Sequence, residues 1–174
     1  MKKLFCILLG LLAGGVFISN AAAQQPSPFY LGAKAIIVDP DFSGFDEAFN
    51  IGVVGGYDLY TTPRLILSVE GEFTTTLSDG DISGGGEWDV DTLAVYGVLR
   101  TPGEFYVKAK AGFLDQDIKA AGTGVILPGS ADDSGFAYGV GGGWRMNRSA
   151  ALEIEYTAAS DDLSFFSVDY VFRF

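Results

Sequence analysis

Histidine is absent from the 174 residues, and cysteine occurs once, at Cys6. A zinc site built on imidazole and thiolate is therefore excluded. The side chain that most often serves as general base in acyl-transfer and hydrolytic sites is missing too. Neither enzyme activity nor a metal or cofactor site is expected. Positive charge is scarce: 11 Lys and Arg stand against 22 Asp and Glu, a net charge of −11. That balance argues against nucleic acid, whose phosphates need a basic patch. Gly84-Gly85-Gly86 is not a phosphate loop, because the Lys and Ser/Thr that should follow it are missing. After the first 25 residues no apolar run is long enough to cross a membrane as a helix.

The one apolar run sits in a leader. Lys2 and Lys3 precede Leu4 to Ile18, and Ala21-Ala22-Ala23 follows. That is the charged, apolar, small-residue order of a secretory signal peptide. Leu4 to Ile18 is shorter than the roughly 17–25 residues of a spanning helix. Cleavage after Ala23 is expected, with Ala21 and Ala23 as the small residues read at the cut. The chain then divides into a signal peptide, residues 1–23, and one domain, residues 24–174. Cys6 precedes nearly all of the apolar run, which argues against a lipoprotein. The exported domain is expected to be stable without disulfides.

What the chain does have is 24 glycines, 14% aromatic residues and a recurrent alternation of period two. Such alternation marks strands with two different faces. Eight segments show it or have the right length: Phe29–Val38, Phe49–Tyr57, Arg64–Leu77, Trp88–Arg100, Phe105–Leu114, Phe136–Met146, Ala150–Ala158 and Ser164–Phe174. The first alternates imperfectly, and the facing of Trp88–Arg100 is left open. These lengths suit tilted strands that cross a bilayer. Tight connections at Asp58–Pro63, Thr101–Gly103 and Asn147–Arg148 take turns with longer, acidic ones at Asp39–Ala48, Ser78–Glu87 and Asp115–Ser134, and with a short one at Ala159–Leu163. Short turns on one side and loops on the other are the asymmetry of outer-membrane barrels. The expected fold is all-β: an eight-stranded, antiparallel, up-and-down transmembrane β-barrel, closed because lipid cannot satisfy an open edge.

A soluble barrel would show the same period with its faces reversed. Aromatics gathered towards strand ends (Phe29, Tyr57, Phe73, Trp88, Phe105, Phe113, Phe136, Trp144 and Phe172) favour interfacial girdles and so an apolar exterior. The charged face then lines the lumen. It carries Lys34, Glu70, Glu72, Lys108, Lys110, Arg145, Glu153, Glu155, Asp169 and Arg173, five of each sign. In a barrel only wide enough for side chains to fill it, these charges are expected to pair at mid-height into a plug. Gly139, Gly141 and Gly143 are expected to make room for the lysines of the preceding strand. A gated, selective pore is the other reading. The acid pairs in the loops match no full calcium-loop pattern and are expected to be solvated; calcium or cation-bridged lipopolysaccharide held by their oxygens is the alternative.

The last strand, SVDYVFRF, places Val168, Tyr170, Phe172 and Phe174 on one face. Together with YLGAKA, GGYDLY and FYVKAKAGFL, it resembles the small outer-membrane β-barrel family of the OmpA transmembrane domain, OmpX and the Ail-type surface proteins. The resemblance implies that Tyr170, Phe172 and Phe174 are the signal read by the barrel-assembly machinery. The chain stops at the last strand, so no cell-wall-binding domain is implied. The expected protein is a monomer in the Gram-negative outer membrane with a structural or adhesin-like surface role; the alternative is a narrow channel for ions or small solutes. Expected partners are outer-membrane lipid, lipopolysaccharide, the assembly machinery and an extracellular partner met by the acidic loops.

Overall fold

The structure, a computed structural model, describes residues 27–40, 46–82, 85–121, 131–159 and 163–174. The leader of residues 1–23 and its cleavage site at Ala21 and Ala23 lie outside them. The strands are β1 (Phe29–Pro40), β2 (Ala48–Thr61), β3 (Ile66–Ser78), β4 (Gly80–Asp81), β5 (Glu87–Arg100), β6 (Phe105–Ala121), β7 (Ala131–Arg145), β8 (Ala150–Ala159) and β9 (Leu163–Arg173). Each pairs antiparallel with its neighbour, and β9 returns to pair with β1 from Tyr30↔Arg173 to Pro40↔Leu163. β4 continues the wall of β3 after a break at Asp79, pairing with the same strand, β5. The result is a closed, eight-walled up-and-down barrel with no sheet edge left open to lipid along its paired length.

The short turns stabilise themselves locally. Thr62 Oγ1 accepts from the amides of Arg64 (3.3 Å) and Leu65 (2.9 Å). In the turn after Pro102, Gly103 adopts φ +130°, a conformation that a Cβ would strain. Asn147 Oδ1 accepts from the amide of Ser149 at 2.8 Å. The two ends of the described chain meet at this rim, where the Ser27 amide donates to the Phe174 carbonyl at 3.0 Å.

At the other rim, the expected loop Asp115–Ser134 is corrected. Its flanks are strand, paired from Asp115↔Ser134 to Ile118↔Ala131, and β6 pairs with β5 up to Glu87↔Ala121. Backbone pairing continues above the membrane because consecutive antiparallel residues satisfy each other's donors and acceptors. β8 by contrast ends at Ala159, opposite Ala137. The barrel is therefore taller along β5–β7 than along β8.

Side chains alternate across the wall. Outside stand Leu31, Val53, Val69, Val95, Val107, Val140, Ile154 and Val168, all exposed. With them are Phe105 and Trp144 at the short-turn ends of β6 and β7, and Phe113 and Tyr138 mid-strand, because both strands run longer than expected. Trp88 corrects one expectation: it is buried inside the barrel, and its indole donates to the Asp46 carbonyl at 3.0 Å. In β5, whose facing the sequence left open, Trp88, Val90, Ala94, Tyr96, Val98 and Arg100 point inward.

Candidate functional site

The inward faces build two tiers. The lower one, towards the short turns, is ionic. Lys108 Nζ lies 2.9 Å from Glu70 and 2.8 Å from Glu153, and also pairs with Glu155. Beside it Arg100 pairs with Glu70, donates to Ser68 Oγ at 3.0 Å and lies 3.6 Å from Asp58. One step higher, Lys110 sits 2.8 Å from both Glu72 and Glu155. Lys34 lies 3.0 Å from Glu72, 3.3 Å from Asp169 and 3.5 Å from Glu155. Glu155 thus joins three lysines. The Asp169 carboxylate accepts no hydrogen bond among the described residues, and Lys34 is the one cation paired with it there.

Three tyrosines pack this network. The Tyr30 hydroxyl donates to Glu70 at 2.8 Å, and Tyr106 hydrogen-bonds Glu153. The Arg100 guanidinium lies 4.5 Å from the Tyr30 ring centre, and the Lys110 ammonium 4.5 Å from that of Tyr96, within cation–π range. Ions taken from water at this depth each lose several kcal/mol of hydration, recovered only by close, multiple pairing. Every cation here has at least two carboxylates within 4 Å. Carboxylate oxygens of Glu153, Glu155 and Asp169 lie within 4.8 Å of one another, and Lys108 pairs with the first two and Lys34 with the last two.

The upper tier is apolar. Ile36, Val38, Trp88, Val90, Leu114, Ala137, Leu163 and Phe165 form one buried cluster across the lumen. Among the polar residues at this level, Thr74 and Thr92 share a hydrogen bond of 2.7 Å, and Asn50 Nδ2 donates to the Val90 carbonyl at 2.8 Å, while the buried Gln116 Oε1 accepts no hydrogen bond among the described residues. Between the tiers, next to Lys34, Glu72 and Phe165, a cavity of about 20 Å³ remains, room for about one water.

Of the residues named from the sequence, Lys34, Glu70, Glu72, Lys108, Lys110, Glu153 and Glu155 lie in the ionic tier, as does Asp169. Arg145 does not. It sits at the short-turn mouth, 4.9 Å from the Tyr106 ring centre and donating to the Gly103 carbonyl at 3.0 Å. No carboxylate pairs with it among the described residues. Arg173 also lies at the mouth, paired with Asp58. Gly143 makes room for a tyrosine rather than a lysine: a Cβ there would run into the Tyr106 ring. Sequence reasoning missed Arg100, Asp58 and Tyr96. Arg100 stands at the end of a strand with apolar residues on both faces, so only its charge beside the Thr-Pro-Gly turn marked it. Tyr170, Phe172 and Phe174 lie exposed on the outer face, the last two rings 5.3 Å apart.

The family model for the outer membrane protein beta-barrel domain matches residues 8–174. The chain belongs to that family. Its place is accordingly the outer membrane of a Gram-negative bacterium. Among solved structures, Ail, the attachment invasion locus protein of Yersinia pestis, is 19% identical with a TM-score of 0.53, over 87% of this chain and 99% of that one. OprG from Pseudomonas aeruginosa is 9% identical with a TM-score of 0.60, over 86% and 97%. Neisserial surface protein A is 13% identical with a TM-score of 0.55, over 86% and 98%. At these identities the likeness is one of fold. No curated protein matches the chain in sequence.

Proposed function

We propose that this outer-membrane barrel has a structural or surface-interaction role, with a lumen closed to solutes. Residues 1–23 are removed on export, and Tyr170, Phe172 and Phe174 serve the assembly machinery. The observation that supports closure is the stacking of two filled tiers, an ionic one beneath an apolar one, with about one water's volume between them. A solute crossing the lumen would have to part Lys108 from its three carboxylates and then displace Phe165 and Leu114. The barrel then acts from its outer surfaces: the lipid-facing belt and the rim raised by β5–β7, which offers an extracellular partner or lipopolysaccharide an acidic surface. No acid–base pair is assigned to catalysis, because the lumen carboxylates are engaged by cations and no imidazole is available.

Single-channel recording in planar bilayers tests this reading. The native barrel is expected to give no reproducible steps. Steps in the native protein, with a size altered by Lys108→Ala or Glu70→Ala, would establish the narrow channel instead.

A further inference from the structure

The outer wall is not uniform. Along β7, Gly142 faces outward, between Val107 on β6 and Ile154 on β8 in register. Val140 stands above it and Trp144 below. The residues on either side, Gly141 and Gly143, face inward and are also bare, so the wall here is one backbone thick. The lipid-side result is a groove of about 550 Å³, bordered by Phe105, Val140, Trp144, Leu152, Ile154 and Tyr156. A Cβ on Gly142 would meet only the Tyr106 carbonyl oxygen, at 3.4 Å. Gly97, another outward glycine, also opens onto the lipid face, but its neighbours along the strand, Tyr96 and Val98, carry side chains.

Two features identify what fills it. The groove lies within the belt that faces hydrocarbon, near the short-turn end, which in outer-membrane barrels is the periplasmic side. Its lower edge is the stacked pair Phe105 and Trp144, with ring centres 6.3 Å apart. Just below, on the turn joining β7 to β8, Arg148 is exposed and pairs with no carboxylate among the described residues. An apolar slot leading down to a free cation matches an acyl chain ending in a phosphate.

We infer that this groove is a binding site for one phospholipid of the periplasmic leaflet, its acyl chain lying over Gly142 and its phosphate on Arg148. Trp144 then lines the site, while Trp88, enclosed in the lumen, is shielded from lipid.

That arrangement makes tryptophan quenching the test. The refolded protein is placed in phosphatidylcholine vesicles holding a small fraction of phosphatidylglycerol brominated on its acyl chains. Native protein should show the anionic lipid enriched at Trp144 about fivefold over its bulk fraction, the preference one basic residue confers near anionic headgroups. Arg148→Gln should remove that headgroup preference, and Gly142→Leu should fill the slot and bring enrichment to unity. Gly97→Leu, on the same lipid face but outside the groove, should leave it unchanged. Heat-shifted gel mobility checks that each variant is folded. Quenching that follows bulk composition in the native protein overturns the site. So does enrichment that survives Gly142→Leu, or cross-linking that shows the face occupied by a second barrel.

Discussion

The two tiers of the lumen sit behind the same kind of outer wall yet are filled by opposite chemistry. Below, Lys108, Arg100, Glu70 and Glu155 are as thoroughly enclosed as any core leucine; above, Val38, Val90 and Phe165 meet one another as in a soluble protein. A membrane barrel needs only an apolar exterior and a satisfied backbone; either filling closes an eight-stranded lumen. What differs is what happens when one member is lost. An apolar tier loses contact area and gains a cavity, and its neighbours partly relax. An ionic tier is left with a charge that has nowhere to go.

Breaking the lower tier should therefore give the largest effect. Lys108→Met keeps most of the side-chain volume but takes from Glu70, Glu153 and Glu155 the ammonium they share, leaving one more buried negative charge uncompensated. The expected loss is about 3–5 kcal/mol, the usual consequence of removing one partner from a buried pair. It would be read as a lower urea midpoint for the barrel reconstituted in lipid. Adding Glu153→Gln should restore part of the loss, because one stranded charge goes with it. If Lys108→Met unfolds like the native barrel, the lower tier is not held by its charges.

Phe165→Ala makes the matching cut in the upper tier. Phe165 is buried beside Leu114 and the cavity between the tiers. Its truncation should cost about 3 kcal/mol from lost burial and an enlarged void. The same urea titration checks it, and a second substitution sharpens the comparison. The Phe165→Ala loss should not respond to charge changes such as Glu153→Gln, whereas the Lys108→Met loss should.

The same contrast explains what could be read from the sequence. Alternation is visible only where the two faces of a strand differ. In β3 and β8 the inward side is Glu70, Glu72, Glu153 and Glu155 and the outward side Val69, Leu152 and Ile154, so facing and ionic cluster were legible together. Where strands enter the upper tier both faces are apolar, and the period disappears: Ile36-Ile37-Val38 in β1, Phe165-Phe166 in β9. β5 runs apolar on both sides from Leu93 to Leu99, which hid its facing. Arg100 was lost from the ionic tier for that reason, whereas Trp88 was lost from the apolar one because an aromatic near a strand end read as part of an interfacial girdle. Arg145 has the inward parity of a lumen charge, but its height on β7 places it at the mouth, and parity carries no information on height. The extension of β6 and β7 was hidden because Asp115, Asp117, Asp132 and Asp133 read as loop, although above the bilayer a paired strand can be acidic on both faces.

The smallest predicted effect isolates enclosure from pairing. Lys119, on β6, lies beyond the roughly 9–11 residues that cross the bilayer and, like Lys108, is close to three carboxylates: Asp91 at 3.0 Å, Asp89 and Asp117 at 3.6 Å. Its hydrogen bond to Asp91 holds its ammonium above the ordinary lysine range, against slight desolvation. A raised lysine pKa contributes stability that is complete at neutral pH and lost only as pH climbs through the elevated value. Lys119 and its partners are more than one-third exposed, so water and salt screen the attraction, and Lys119→Ala should cost no more than about 0.5 kcal/mol, less still in high salt. The urea midpoint, measured at neutral pH with and without added salt, decides it. Two lysines with equal numbers of acidic neighbours would then differ severalfold in effect, and the difference would belong to the wall around Lys108. A loss at Lys119 as large as that at Lys108 would show instead that pairing, not enclosure, sets the cost in both places.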